Sequence, residues 1–223
     1  MVTRKFDTID WCVNDQIGHL VLNQPPSNKM TVAFFSEMTD LKGEITGLTS
    51  LKALIISGKG RHFSSGADLD ELLPEIDRNA GAESFLQSNY TALSYLETLP
   101  FPVISVIRGA CLGSALELAL FSHFRFCGEE AVFGLPETTF NLIPGIGGIQ
   151  RFAALSRKAR ALDYILTGRM FDAQRALELG IVDAIWPKIK LVDEAIVFAK
   201  QFPGRYEKGM REVYVSRYVR RKR

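Results

Sequence analysis

Pro102-Val103-Ile104-Ser105-Val106-Ile107-Arg108-Gly109-Ala110-Cys111-Leu112-Gly113-Ser114-Ala115-Leu116-Glu117-Leu118-Ala119-Leu120-Phe121 is the stretch that decides the fold class. Val103 to Ile107 is a short apolar run of the length a buried strand supplies, and Pro100 and Pro102 break the helical pattern before it. Arg108 to Gly113 reads as a glycine loop, and Ser114 to Phe121 as a helix behind it. A strand followed by a glycine loop recurs at Leu51 to Ser57 (LKALIIS) and Gly58 to Gly66, and a third apolar strand, Phe124 to Cys127, follows the central helix. This repeated order argues for an α/β chain with a largely parallel sheet.

Thr8 to Val13 and Gly18 to Leu22 read as a hairpin turning at Asn14 to Ile17. Helices are expected over Val32 to Ile45, Ala82 to Leu99, Ile149 to Leu155 and Arg157 to Leu166. Asp172 can cap a helix that stops at Gly180, Ile181 to Trp186 reads as a late strand, and Val192 to Gln201 and Tyr206 to Val219 as closing helices. No repeat or linker divides the chain, so residues 1–187 read as the core and 188–223 as a helical end of the same domain.

The composition, 47% apolar and 23% charged over 223 residues, suits one substantial core. No apolar stretch approaches the roughly 20 residues of a bilayer span, and Met1 to Lys5 leads into no signal-peptide core, so the expected location is cytoplasmic. Cys12, Cys111 and Cys127 lack paired metal-ligand spacing and read as small buried residues rather than a disulfide framework or zinc site. A net charge of +2 does not imply a polyanionic partner, although Arg217, Arg220, Arg221, Lys222 and Arg223 concentrate charge at the end. That cluster reads first as a solvated helix end, and second as a contact for coenzyme A phosphates, an acidic carrier or nucleic acid.

Glu117 is the one ionisable residue from Ser114 to Phe121. A helix apolar nearly all round is usually buried, and a buried carboxylate must be paired or change its protonation state. A functional role follows unless Glu117 faces solvent. Glu137, beside Pro136, taken alone is a helix-start carboxylate. Paired with Glu117 across one cleft, it can divide acid and base work. The turns at Gly66-Ala67-Asp68 and Gly113-Ser114 offer two backbone N–H groups for a developing oxyanion. Neither turn is a phosphate loop, because Gly-Lys-Ser/Thr and Gly-x-Gly-x-x-Gly are both absent. Asp68 reads as a helix cap, and His62 as a surface-loop histidine or, second, a phosphate contact.

Phe63-Ser64-Ser65-Gly66-Ala67-Asp68-Leu69, the Gly109 to Ala119 block, Phe133-Gly134-Leu135-Pro136-Glu137 and Ile143-Pro144-Gly145-Ile146-Gly147-Gly148 resemble, in order and spacing, the crotonase (enoyl-CoA hydratase/isomerase) superfamily. The resemblance runs from about Ile17 to Pro187 and includes Ala173 to Val182. It implies a ClpP-like spiral of ββα units with a helical C-terminal region. It also implies that the amides of Ala67 and Ser114 hold a thioester oxygen, and that Ser65, Gly66, Asp68, Leu69 and Gly113 line the substrate site. Glu117 would activate water, and Glu137 would exchange the proton at C2. No cofactor beyond the coenzyme A of the substrate and no metal is implied; the substrate would be an acyl-CoA or acyl-carrier-protein thioester, and the assembly a homotrimer or hexamer.

Two features depart from the family pattern. Ser114 stands where the family generally has glycine, and the chain ends at Arg223, short of much of the family's C-terminal helical region. The second departure would leave a more open pocket, suited to a bulky or carrier-bound acyl group. The alternatives are an isomerase using Glu137 alone, a decarboxylase or thioesterase of the same fold, and a non-catalytic or RNA-binding homologue, for which only the basic end speaks.

Overall fold

The structure, a computed structural model, describes residues 2–78 and 82–204, with side chains over 6–74 and 83–204. The helix expected over Tyr206 to Val219 and the basic cluster Arg217 to Arg223 lie outside the described residues.

Strands β1 (Val2–Lys5), β2 (Ile9–Asn14) and β3 (Ile17–Leu22) form an antiparallel meander, followed by α1 (Val32–Gly47) and β4 (Ala53–Gly58). The β2–β3 connection is the two-residue turn Asp15-Gln16, both at positive φ (49° and 65°), whose twist matches that of the flanking strands. Then come α2 (Leu69–Arg78), α3 (Ala82–Ser94), β5 (Val103–Ile107), β6 (Ala110–Leu112), α4 (Ser114–Leu120), β7 (Phe124–Gly128) and β8 (Val132–Gly134). The chain continues through α5 (Gly148–Ser156), α6 (Lys158–Thr167), β9 (Phe171–Asp172), α7 (Ala173–Leu179), β10 (Ala184–Trp186) and α8 (Leu191–Lys200).

The seven-stranded sheet has the order β1-β2-β3-β4-β5-β7-β10 and is parallel from β3 onward, as the recurring order of elements implied. Strands β4 and β5 are mostly apolar because both faces are covered, and the buried hydroxyl of Ser105 in β5 is satisfied by Ser122 at 2.7 Å. Leu54 and Ile56 enter the main core with α1, α3 and α4, while Ala53 and Ile55 join Ile104 and Val106 beneath Leu191, Ala195 and Ala199 of α8. Phe126 completes that outer layer, stacked on Trp186 at 4.1 Å and edge-on to Phe198 at 4.9 Å.

The sequence reading differs from the structure in several places. A second sheet, β6-β8-β9, runs through segments that read as glycine loop and turn. Two or three residues per strand are too few to show a period of two. The single bridges Ser64↔Cys111 and Met30↔Ala67 extend this layer sideways. The helix expected from Ala82 to Leu99 tightens into a 3₁₀ turn at Tyr95–Thr98, just before the prolines. Strand β1 was not legible, and β10 is shorter than the expected Ile181 to Trp186. The helices expected at Ile149, Arg157 and after Asp172 are present, and the Asp172 side chain caps α7 by accepting the Arg175 N–H at 2.8 Å.

Candidate active site

The site lies where the two sheets meet. Phe63 N–H donates to Arg108 O at 2.7 Å, Ser64 N–H to Ala110 O at 3.0 Å and Leu112 N–H to Ser64 O at 3.3 Å, so the two glycine turns run side by side. On the other flank, Met30 N–H donates to Gly66 O and Asp68 N–H to Met30 O, both at 2.9 Å. In that parallel pairing the residues flanking Ala67 face Met30, and the Ala67 N–H points the opposite way. Ser114 opens α4, where a first-turn N–H has no intrahelical acceptor. A Cβ on Gly66 would stand 3.6 Å from the Ser114 nitrogen, so the two expected oxyanion donors belong to adjoining turns. Both line a cavity of about 260 Å³ together with Ser65, Gly66, Leu69, Gly113 and Glu137. Asp68 does not line it; its side chain turns to Lys29 Nζ at 3.1 Å instead of closing α2, although its carbonyl accepts the N–H of Leu72.

Glu117 is 1% exposed on a helix whose seven residues are all buried. Its Oε1 accepts the N–H groups of Ile146 and Gly148, each at 2.8 Å. Burial raises its proton affinity to about 7, against the pull of those two amides and the Arg151 charge. A Cβ on Gly148 would fall 2.8 Å from Glu117 Cγ and Oε1, so only glycine allows this approach.

Glu137 sits in the 3₁₀ turn Pro136–Phe140, held on α6 by Thr138 Oγ1 donating to Ile165 O at 3.0 Å. Both of its carboxyl oxygens are buried and have no hydrogen-bond partner among the described residues. Burial, and then the nearby Glu117 charge, push its pKa up to about 8. Gly113 underlies it at φ 54°, where a Cβ would lie 3.2 Å from Glu137 Oε1.

The two carboxyls therefore differ in kind. Two amide donors favour the anion at Glu117, and nothing comparable does so at Glu137. Two interacting buried acids do not both ionise readily, and the two amide donors make Glu117 the first of the pair to give up its proton. A carboxylate base and a carboxylic acid, with two amide donors in adjoining turns, form a set suited to moving protons beside a carbonyl whose oxygen becomes negative.

A family model described as enoyl-CoA hydratase/isomerase matches residues 13–213. The chain belongs to the enoyl-CoA hydratase/isomerase family. It is 32% identical to the probable enoyl-CoA hydratase of Bacillus subtilis over 194 residues, 87% of this chain and 73% of that protein. It is also 37% identical over 191 residues to the fatty acid oxidation complex subunit alpha of Shewanella halifaxensis; this covers 83% of the chain but only 27% of the length of that relative. The crystal structure of enoyl-CoA hydratase from Bacillus anthracis superposes with a TM-score of 0.79 at 32% identity, covering 87% of this chain and 76% of the other. A second, from Geobacillus kaustophilus, gives 0.83 at 29%, covering 90% and 76%. Together with the two-sheet architecture, these establish the crotonase fold. Among the described residues no group of three His, Cys, Asp or Glu side chains could hold a metal ion, and no helix is long and apolar enough to cross a membrane.

Sequence reading missed the residues that hold this family site in shape. Asn28, 2% exposed and at φ 51°, donates from Nδ2 to Lys59 O and His62 O at 2.9 Å and to Phe63 O at 3.2 Å, while its Oδ1 accepts the Gln24 N–H at 3.0 Å. It thereby closes the loop leading to Ala67. His62 is not a free surface side chain, since its Nδ1 accepts the Ala110 N–H at 3.0 Å and ties the first turn to β6. Neither residue lies in a pattern that marks it, because the carbonyls that Asn28 bonds and the amide that His62 bonds are more than 30 positions away.

Proposed function

We propose that the protein is an enoyl-CoA hydratase, adding water across the C2=C3 bond of a 2-enoyl thioester. The observation that carries this reading is the pairing of two buried carboxyls at one site, Glu117 bonded to two backbone amides and Glu137 with no hydrogen-bond partner for either carboxyl oxygen among the described residues. Water addition needs a group at each carbon: a base for the incoming water and an acid for the adjacent carbon. Isomerisation needs only one group that moves a proton.

In the proposed reaction the thioester oxygen accepts hydrogen bonds from the Ala67 and Ser114 amides, with Ser65, Gly66, Leu69 and Gly113 around the thioester. Glu117 takes a proton from water as the water oxygen bonds to C3. The π electrons move through C2 onto the thioester oxygen, giving an enolate that the two amides stabilise, and Glu137 then delivers its proton to C2. Each turnover leaves a proton on Glu117 and removes one from Glu137, and exchange with solvent restores the pair. The coenzyme A of the substrate is the one cofactor-like group this chemistry requires.

Exposed Phe140, Ile143, Leu166 and Met170, on adjoining segments around the Glu137 turn, support the further proposal of a homo-oligomer, a trimer or hexamer, that covers them. Sedimentation of the purified chain tests the assembly.

Hydration is tested on crotonyl-CoA and longer 2-enoyl-CoAs by loss of the conjugated thioester absorbance. Glu117→Gln should abolish hydration while leaving any C2 proton exchange that Glu137 performs. Absence of hydration for every chain length would overturn the assignment, and isomerisation surviving in Glu117→Gln would establish the single-carboxylate alternative.

A further inference from the structure

Glu117 owes its two hydrogen bonds to a loop, 145–148, in which three of the four residues are glycine. A glycine-rich segment has the most conformational freedom to lose, so something must hold it in place. Arg151, one turn along α5, is the side chain that does. Its Nη1 donates to Gly147 O at 3.3 Å, in addition to the helical bond from the Arg151 N–H to the same carbonyl at 3.2 Å. The guanidinium lies so close to the Gly147 α-carbon, which is at φ 93°, that a Cβ there would fall 2.2 Å from Nη1.

The guanidinium is itself fixed on three further sides. Its Nη2 pairs with Glu97 Oε2 at 2.6 Å, its plane covers the Phe121 ring at 3.8 Å, and Tyr90 stands at 5.7 Å. Arginine suits this position because a planar fork can bond two acceptors while stacking on an aromatic face, which an ammonium cannot do. The arrangement joins the 3₁₀ turn at Tyr95–Thr98 (Glu97), α3 (Tyr90) and the residue that ends α4 (Phe121) to the loop that faces Glu117. Beyond it lies a cavity of about 940 Å³, which Arg151 and Glu97 both line.

We propose that Arg151 is a positioning residue: it braces Gly147 so that the Ile146 and Gly148 amides stay aimed at Glu117, and its charge favours the ionised form of that carboxyl. Its catalytic consequence rests on Glu117 being the water-activating base, but the positioning itself does not. The charged and titratable groups facing Glu117 are Glu137 from the 3₁₀ turn Pro136–Phe140 and Arg151 from α5, with Glu97 and Tyr90 behind the guanidinium. Arg151 is the cation among them, and its removal therefore acts upward on the Glu117 proton affinity.

The test is a ¹³C NMR titration of protein labelled at the glutamate carboxyls, with the Glu117 signal assigned by its loss in Glu117→Gln. In R151Q the midpoint of that signal should rise by about half a pH unit or more, roughly a threefold gain in proton affinity. R151K keeps a charge but not the fork, and should lie between parent and R151Q. A Glu117 midpoint equal to the parent's in a folded variant overturns the proposal, and R151K decides alone if R151Q does not fold. A kinetic arm separates this from the hydratase reading: where hydration is measurable, the acid limb of kcat/KM moves up with the NMR midpoint. A shifted midpoint in a protein that hydrates nothing leaves the positioning role standing and removes the hydratase assignment.

Discussion

Replacing Glu137 by Gln should reshape the pH dependence of stability. Gln is a neutral isostere of the protonated acid, and the structure holds Glu137 in that form up to about pH 8 against an ordinary value of 4.5. For a group whose folded pKa is raised, the native state binds the proton more tightly than the unfolded state does. The stabilisation is complete below pH 4.5, declines as the pH rises, and is lost once the pH has passed through about 8. At about 1.4 kcal/mol per pH unit the full difference amounts to about 5 kcal/mol. Coupling to Glu117 and entry of water reduce this to about 2 to 3 kcal/mol for Glu137 itself. Urea denaturation of parent and E137Q at pH 5 and pH 9 provides the check. The two should be nearly equally stable at pH 5, while at pH 9 E137Q should be the more stable by about 2 to 3 kcal/mol, reached by an increase in midpoint at constant slope. Parallel pH profiles for the two proteins would show that Glu137 ionises as freely as an exposed carboxylate, and the acid role derived from its missing hydrogen bonds would fail with them.

Ser114→Pro removes one N–H at a helix position that tolerates proline, so thioester turnover should fall about a hundredfold to a thousandfold while Ser114→Ala, which keeps the amide, stays within about tenfold of the parent. Steady-state kinetics of the pair separate the amide from the side chain. Asn28→Ala leaves three carbonyls, that of Phe63 buried, and one N–H without this partner, and should lower the unfolding free energy by about 2 to 4 kcal/mol, measured by urea denaturation. Gly148→Ala drives a methyl against the Glu117 carboxylate; kcat should fall at least about tenfold while the far-UV circular dichroism stays that of the parent.

Much of this was legible because the relevant signals are local. Val103 to Ile107 is apolar except at Ser105, and the structure covers that strand on both faces, with Ile104 and Val106 under α8 and Val103 and Ile107 in the main core. Glu117 stood out as a lone charge in an apolar helix, and it is indeed buried. The second sheet was hidden because Ala110–Leu112 and Val132–Gly134 are too short for alternation to appear, and pair with segments far along the chain. Asp68 illustrates the opposite error, for a residue type favoured at caps is drawn instead to a lysine beside Met30.

The sequence by itself determined the parallel α/β plan, the family, and the identity of the two carboxyls, since each follows from residue type and spacing along the chain. Only the tertiary structure decided how those carboxyls differ. The amides of Ile146 and Gly148 reach Glu117 from about 30 residues away and favour its anion, while the buried carboxyl oxygens of Glu137 have no hydrogen-bond partner among the described residues. Proton affinity depends on the groups that surround a side chain in space, and folding alone assembles them.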